Sequence, residues 1–282
     1  MPIAGPMKLS PFFPICLGLI ASAVANSQIA TPSVGYVRYA NDGVRGIYGL
    51  EGNYVVGDKV LALALSASFS DDGGLLFQSG SLALVDSSLT TIATLGVSDS
   101  DAVIRIDRGL ETAIAWLPAS HALVHWNGKS FAKTTVSALP AEATVTSVRK
   151  LDRNTASLLV SKPDSTIVRC VMSLQTGDLK TSMSIPAAFG MAFEDGARII
   201  CFSKRKLSVL SQTGEILQEL TVPTDDGLLV EQASTRCLHL NTRTPGQDWL
   251  LHTDGKDFHL YQLPGPRKGA VEVSEAKLES AK

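Results

Sequence analysis

The chain has 282 residues, 45% hydrophobic and 18% charged, and its 25 Lys and Arg against 27 Asp and Glu give a formal net charge of −2. That is ordinary globular composition, and a chain of this length can bury a sizeable core without metals or disulfide staples. The near-neutral balance, with no basic run beyond "KRK" at 204–206, excludes nucleic acid as an expected partner, because neutralising phosphates takes a concentrated basic face.

Residues 1–25 read as a different kind of polymer. Lys8 is their one charge, the apolar run "LSPFFPICLGLIASAVA" follows it, and Ala23-Val24-Ala25 closes the segment. A positive start, an apolar stretch and an A-x-A end describe a secretory signal peptide. The mature chain is then expected to begin near Asn26, in the periplasm or outside the cell. The apolar part is short for a membrane span and is broken by Pro11 and Pro14, so no membrane span is expected in the mature chain. An uncleaved anchor helix is the alternative.

The stretch "GVRGIYGLEGNYVVG" places glycine at 43, 46, 49, 52 and 57. A dinucleotide loop needs G-x-G-x-x-G between a strand and a helix, and a phosphate-binding loop needs Gly-Lys-Ser/Thr; neither is present. Backbone geometry remains: glycine lets strands turn sharply or approach closely, with Tyr48 and Tyr54 packing across the gaps. The functional alternative is a ligand-facing loop in which Arg38, Arg45 and Tyr48 line one mouth of a channel.

From 34 to 264 the chain alternates apolar and polar residues in short runs such as "TASLLVS" and "STIVRCVMSL", bounded by Gly, Asp, Asn or Pro. No helical apolar period is sustained there, so the fold class is all-β. One anchor is an acidic-glycine turn, seen in "FSDDGGLLF" (69–77), "RIDRGLETAIAW" (105–116), "KLDRNTASLLV" (150–160) and "FEDGARIICF" (193–202), with a worn copy at 231–240. Aligning Gly73, Gly109, Asn154, Gly196 and Ser234 gives a period of about 40 residues, the scale of a propeller blade.

A second anchor follows each first one as a two-residue hairpin turn: Asn127-Gly128, Thr176-Gly177, Thr213-Gly214 and Asp254-Gly255. "VDSSLTTIATL" (85–95) is the same element without its glycine. With both anchors alternating at one period, the chain resembles divergent secreted bacterial β-propeller repeat proteins, although the Trp-Asp dipeptide of WD repeats is missing. The resemblance implies a single β-propeller of six four-stranded blades over 26–264, with five or seven left open. Residues 34–65 have room for most of a blade, which a strand from the other terminus would complete.

Candidate chemistry is sparse. His121 and His125, if both lie in one strand, are roughly 13 Å apart, too far to share a metal ion. Asp71-Asp72 and Asp225-Asp226 each precede glycine and read as turn chemistry before acid/base chemistry. "SDSD" at 98–101 reads as a linker between blades, and Trp116, Trp126 and Trp249 as packing between them. Cys170, Cys201 and Cys237 form an odd set without metal spacing, expected to be buried thiols, with one disulfide left open. The end, "GPRKGAVEVSEAKLESAK" (265–282), is expected to be a disordered charged tail.

No catalytic residue, metal site or cofactor is expected. The reading is a secreted, monomeric binding or scaffold module for a protein or carbohydrate partner. The alternative is a propeller enzyme of the lactonase, glycosidase or quinone-dependent dehydrogenase type.

Overall fold

The computed structural model describes residues 31–265 apart from 40–41, 62, 137–138, 140–141, 186–190, 204, 223–227 and 243–246. The expected signal peptide (1–25), the tail beyond Gly265, and Asp225-Asp226 therefore lie outside the described residues. No helix among the described residues is long and apolar enough to cross a membrane.

Six antiparallel sheets follow one another along the chain, each a meander in sequence order. Blade 1 is β1 (Ser33–Tyr39), β2 (Gly43–Leu50) and β3 (Asn53–Leu61). Blade 2 is β4 (Ser66–Ser70), β5 (Gly73–Gln78), β6 (Ser81–Asp86) and β7 (Thr91–Gly96). Blade 3 is β8 (Val103–Arg105), β9 (Ile114–Leu117), β10 (Ala122–Trp126) and β11 (Phe131–Thr135). Blade 4 comprises β12 (Thr144–Lys150), β13 (Thr155–Ser161), β14 (Ile167–Ser173) and β15 (Leu179–Ile185). Blade 5 comprises β16 (Met191–Asp195), β17 (Arg198–Ser203), β18 (Lys206–Ser211) and β19 (Ile216–Thr221). Blade 6 comprises β20 (Leu228–Ser234), β21 (Cys237–Thr242), β22 (Trp249–His252) and β23 (His259–Gln262). The fold is the expected all-β six-bladed propeller. Among the described residues its first blade has three strands, and no C-terminal strand joins it.

The buried side chains fall into six clusters, one per seam between neighbouring blades. This follows from strand periodicity: alternate residues point to opposite faces, and each blade is covered on both faces by its neighbours, so middle strands such as β10 and β17 are apolar almost throughout. Trp116, Trp126 and Trp249 are all buried in these seams, as the sequence suggests. The fourth strands are half-polar edges; β7 and β19 alternate exposed and partly buried residues.

Both anchors are turns on one face of the ring. The acidic-glycine turn joins the first strand of a blade to the second, and the two-residue turn joins the third to the fourth. Gly128, Gly177 and Gly214 carry the positive φ that such turns require. In blade 2, which lacks the glycine, Leu89 takes that conformation at φ 63. In blade 1, a Cβ on Gly46 would sit 2.7 Å from the Tyr48 hydroxyl and one on Gly57 2.7 Å from the Tyr48 ring, so these two glycines make room for the tyrosine.

The ring closes by side chains. Glu231 of β20 accepts from Arg38 Nε of β1 at 2.7 Å and from the Ala67 amide of β4 at 3.0 Å, joining blades 6, 1 and 2. Farther out on the same seam, Tyr54 Oη and His252 Nε2 are 2.5 Å apart. Similar ties recur around the axis: Ser68 Oγ accepts from the Ile106 amide at 3.0 Å, and Ser147 Oγ from the Glu194 amide at 3.2 Å.

Two outcomes are expected. Arg38→Leu leaves a buried carboxylate uncompensated and should cost about 3–5 kcal/mol, much of it recovered in the Arg38→Leu/Glu231→Leu double variant, as read from urea unfolding. Cys170, Cys201 and Cys237 are buried and free, and burial pushes the Cys201 and Cys237 thiols up to about 12. A thiol-titrating disulfide reagent should therefore label none of the three in the native protein and all three after denaturation.

Candidate functional site

The turns that follow the first strands gather around one mouth of the axial channel, in a cavity of about 610 Å³ walled by blades 3 to 6. Blade 3 contributes Arg105 and Arg108, blade 4 Arg149 and Lys150, blade 5 Arg198, and blade 6 Arg236. Three carboxylates, Asp107, Asp195 and Asp254, face the same space, leaving a surplus of three positive charges in a chain whose formal net charge is −2. Such a surplus in a concave site focuses field on incoming anions.

The inner part of this site is a connected ion-pair network. Asp107 lies between two guanidiniums, accepting from Arg105 Nε and from Arg149 Nε, each at 2.7 Å. Arg149 Nη1 also donates to the Gly196 carbonyl at 2.9 Å, and Arg105 Nη1 donates to the Glu194 carbonyl. Asp195 lies 3.8 Å from Arg105 and 3.5 Å from Arg198. Beneath it, buried Glu194 accepts from Arg169 Nη2 at 2.9 Å and from Ser157 Oγ at 2.5 Å. Arg105 and Arg198 also stand over the Phe193 and Phe258 rings, at 4.4 and 4.2 Å from the ring centres.

Local structure explains the placement. β8 stops after three residues, and a single 3₁₀ turn, Leu110–Thr112, folds the chain back. Thr112 Oγ1 accepts from the Asp107 amide at 2.8 Å and donates to the Gly109 carbonyl at 2.7 Å, which fixes the Asp107 loop. Asp72 of blade 2 accepts from the Gly109 amide at 2.8 Å. That contact makes Asp72 a turn-holding residue.

Asp107 and Asp195 titrate in opposite senses. Burial works to raise the Asp107 carboxyl, but the Arg105 and Arg149 guanidiniums outweigh it and hold the group below the usual carboxylate range. Asp195 goes the other way: burial pushes its carboxyl up, Arg105 and Arg198 only partly oppose it, and the Asp107 charge adds to the rise. Among the described residues, no group of three or more His, Cys, Asp or Glu is placed to hold a metal ion.

Beside the mouth lies a second cavity of about 800 Å³ between blades 3 and 4, bordered by His125, Asn127, Lys150 and Arg153. The opposite end of the channel has a different character. Its cavity, about 310 Å³, is bordered largely by apolar side chains, including Leu65, Val145, Met191 and Leu229.

Residues singled out from the sequence are distributed unevenly. Arg38 is held by Glu231 in the closure, and Arg45 is buried, donating to Asp42 at 2.7 Å and to the Gly57 carbonyl at 2.9 Å. Tyr48 packs over Gly46 and Gly57. None of the three is among the residues bordering the charged mouth. His121 falls in a turn at φ 46, and His125 lies within β10, so the two do not share a strand. Asp99 of "SDSD" is buried and accepts from the Ser120 amide at 2.9 Å, a structural role. Apart from Thr253 and Asp254, the mouth residues lie in or beside the acidic-glycine anchor; its charged neighbours, Arg105, Arg108, Arg149 and Arg198, were the available signal.

No family model matches the chain, and no curated protein matches it. Solved structures do. PorZ, described as an essential bacterial surface component of the type-IX secretion system of Porphyromonas gingivalis, aligns with TM-score 0.50 and 13% identity over 83% of this chain and 32% of that one. The chain thus spans about a third of PorZ's length. BBS1N in complex with ARL6DN aligns with TM-score 0.44 and 13% identity, over 81% of this chain and 76% of that one. KlHsv2 with loop 6CD replaced by a Gly-Ser linker gives 0.40 and 13%, over 79% and 82%. At this identity the PorZ likeness is one of fold.

The two carboxyls generate opposite pH dependences. A depressed carboxyl such as Asp107 contributes stability above its unfolded value of about 4, lost as pH falls through the folded value. A raised one such as Asp195 contributes stability below about 4, lost as pH rises through the folded value. Asp107→Asn should therefore lower the neutral-pH Tm, with the deficit vanishing in acid, whereas Asp195→Asn should leave the neutral-pH Tm equal or higher. Thermal unfolding across acid to neutral pH checks both.

Proposed function

We propose that this chain is an exported, non-catalytic β-propeller that serves as a binding or scaffold module, meeting an anionic partner through the arginine-rich mouth. One observation carries the reading: the acids nearest the axis, Asp107, Glu194 and Asp195, all face guanidiniums, while Arg108 and Arg236 stand exposed at the rim, Arg236 with Asp254 4.0 Å away. Neutralised acids hold a surface in shape, and exposed cations on a rigid frame recruit. A surface component of a secretion system, as PorZ is described, is compatible with such a role for this fold. Export rests on residues 1–25, whose charge and apolar pattern suit signal-peptide cleavage.

A second reading, a propeller enzyme, has one observation in its favour. The raised Asp195 carboxyl faces the mouth, where it would serve as a general acid. Its contacts with Arg105 and Arg198 weigh against that role.

Because both rim arginines are exposed, Arg108→Glu/Arg236→Glu should fold normally, with stability within about 0.5 kcal/mol of the parent. Partner capture from envelope extracts of a Gram-negative host should be lost in this variant and should weaken with added salt in the parent. Equal capture by both would remove the mouth from consideration. Turnover of any substrate that is lost in Asp195→Asn would favour the enzyme reading. Intact-mass measurement of chain recovered from the periplasm should show a terminus near Asn26, and an uncleaved terminus would contradict export by cleavage.

A further inference from the structure

The cavity between blades 3 and 4 adjoins the charged mouth: Thr112, Lys150 and Leu151 border both. Lys150 Nζ donates to the Glu111 carbonyl at 2.6 Å and to the Trp126 carbonyl at 2.7 Å, so the shared wall is braced. At the cavity's inner wall stands His125, only 8% exposed, whose Nδ1 has no hydrogen-bond partner among the described residues. Leaving a buried polar atom unmatched costs free energy, so a group supplied from the cavity is the natural partner. At the outer rim, Arg153 is exposed and Asn127 turns its own loop, accepting from the Lys129 and Ser130 amides at 2.9 and 3.0 Å.

We propose that the mouth and this cavity form one continuous groove for an extended acidic polypeptide segment, with carboxylates taken by the mouth arginines and Arg153, and a backbone amide taken by His125 Nδ1. The inference rests on the mouth being the recognition face and adds both the path of the ligand and its class.

Three features favour a polypeptide. Among the described residues bordering the two cavities there is no Phe, Tyr or Trp, so the stacking platform that sugars and bases use is missing. Glu111, Asp152 and Asp254 interleave with the cations, which suits a ligand carrying N–H donors between its carboxylates and repels a polymer charged at every step. Burial, with the nearby Lys150 charge, lowers the His125 pKa and keeps the ring neutral. A neutral ring offers one donor and one acceptor nitrogen, and a peptide unit can complement either.

The test is fluorescence anisotropy of the full chain with a fluorescein-labelled decapeptide alternating Glu and Gly, using a Lys-Gly decapeptide as control and polygalacturonate as competitor. The acidic peptide should bind and the basic one should not. Arg153→Glu, an exposed change, and His125→Gln should each weaken binding by about tenfold. Thermal unfolding accompanies His125→Gln, and Arg153→Glu decides the matter should the histidine variant misfold. If Arg108→Glu/Arg236→Glu weakens binding while both cavity variants leave it unchanged, the groove is wrong and the mouth reading stands. If polygalacturonate binds and the peptide does not, the polypeptide class is wrong. Peptide binding that ignores the mouth reversal overturns the mouth reading itself, and no binding by either acidic probe overturns both.

Discussion

Glu231 is the constraint on which the ring depends. A propeller must join its last blade to its first, and here no strand is exchanged between the ends among the described residues. A single buried carboxylate instead reaches Arg38 of blade 1 and the Ala67 amide of blade 2. It spans two blades because β20 packs directly against β4 as well as β1. A buried ion pair of this kind is weak evidence for stability, since desolvation consumes much of its attraction. Its value is geometric: only one arrangement of three strands satisfies it. The Ser68 and Ser147 ties apply the same device at two other seams with less at stake, because a hydroxyl is cheaper to bury than a carboxylate.

With the ring fixed, the mouth is fixed. The residues around it come from turns, which ordinarily move, yet these turns are bonded across blades: Asp107 to Arg149, Arg149 to the Gly196 carbonyl, and Arg198 to the Gly255 carbonyl at 3.0 Å. The network therefore does two jobs. It braces the turns after the first strands of blades 3 to 5 against one another, and it holds the inner cations in place while the exposed rim cations face solvent. Because Asp107, Glu194 and Asp195 each face arginine, a partner meets a preorganised positive surface and has little rearrangement to drive. The apolar opposite end, with Leu65 and Leu229 exposed, makes the two openings chemically distinct.

Much of the architecture was legible in the chain, because blade formation is local. Each hairpin turn sits between its own strands, and Asn-Gly or Thr-Gly specifies the turn whatever surrounds it; even the missing glycine of blade 2 is replaced in kind by Leu89 at positive φ. Closure was less legible. Residues 34–65 suggest a blade awaiting a strand, while Glu231 and Arg38 are 193 positions apart and carry no local mark of pairing. The mouth was half legible. The acidic-glycine anchor located the turns, but reading them as turn chemistry hid that Asp107, Asp195 and the arginines converge, which only the ring geometry brings about. For Arg38, Arg45 and Tyr48, the alternative ligand-facing set, side-chain direction within β1 and β2 is set by register and carries no local mark in the sequence. Register sends Arg38 to Glu231, Arg45 to Asp42, and Tyr48 over two glycines.

The most direct test of the central claim, that the arginine-walled mouth is the recognition face, is hydrogen–deuterium exchange of the full chain with and without the acidic decapeptide. The account predicts slowed exchange confined to 105–112, 125–128, 149–154, 194–198, 234–236 and 253–254, the segments that build the mouth and its adjoining groove. Protection centred instead on the apolar end, around 63–67 and 228–230, or on the outer fourth strands would contradict it.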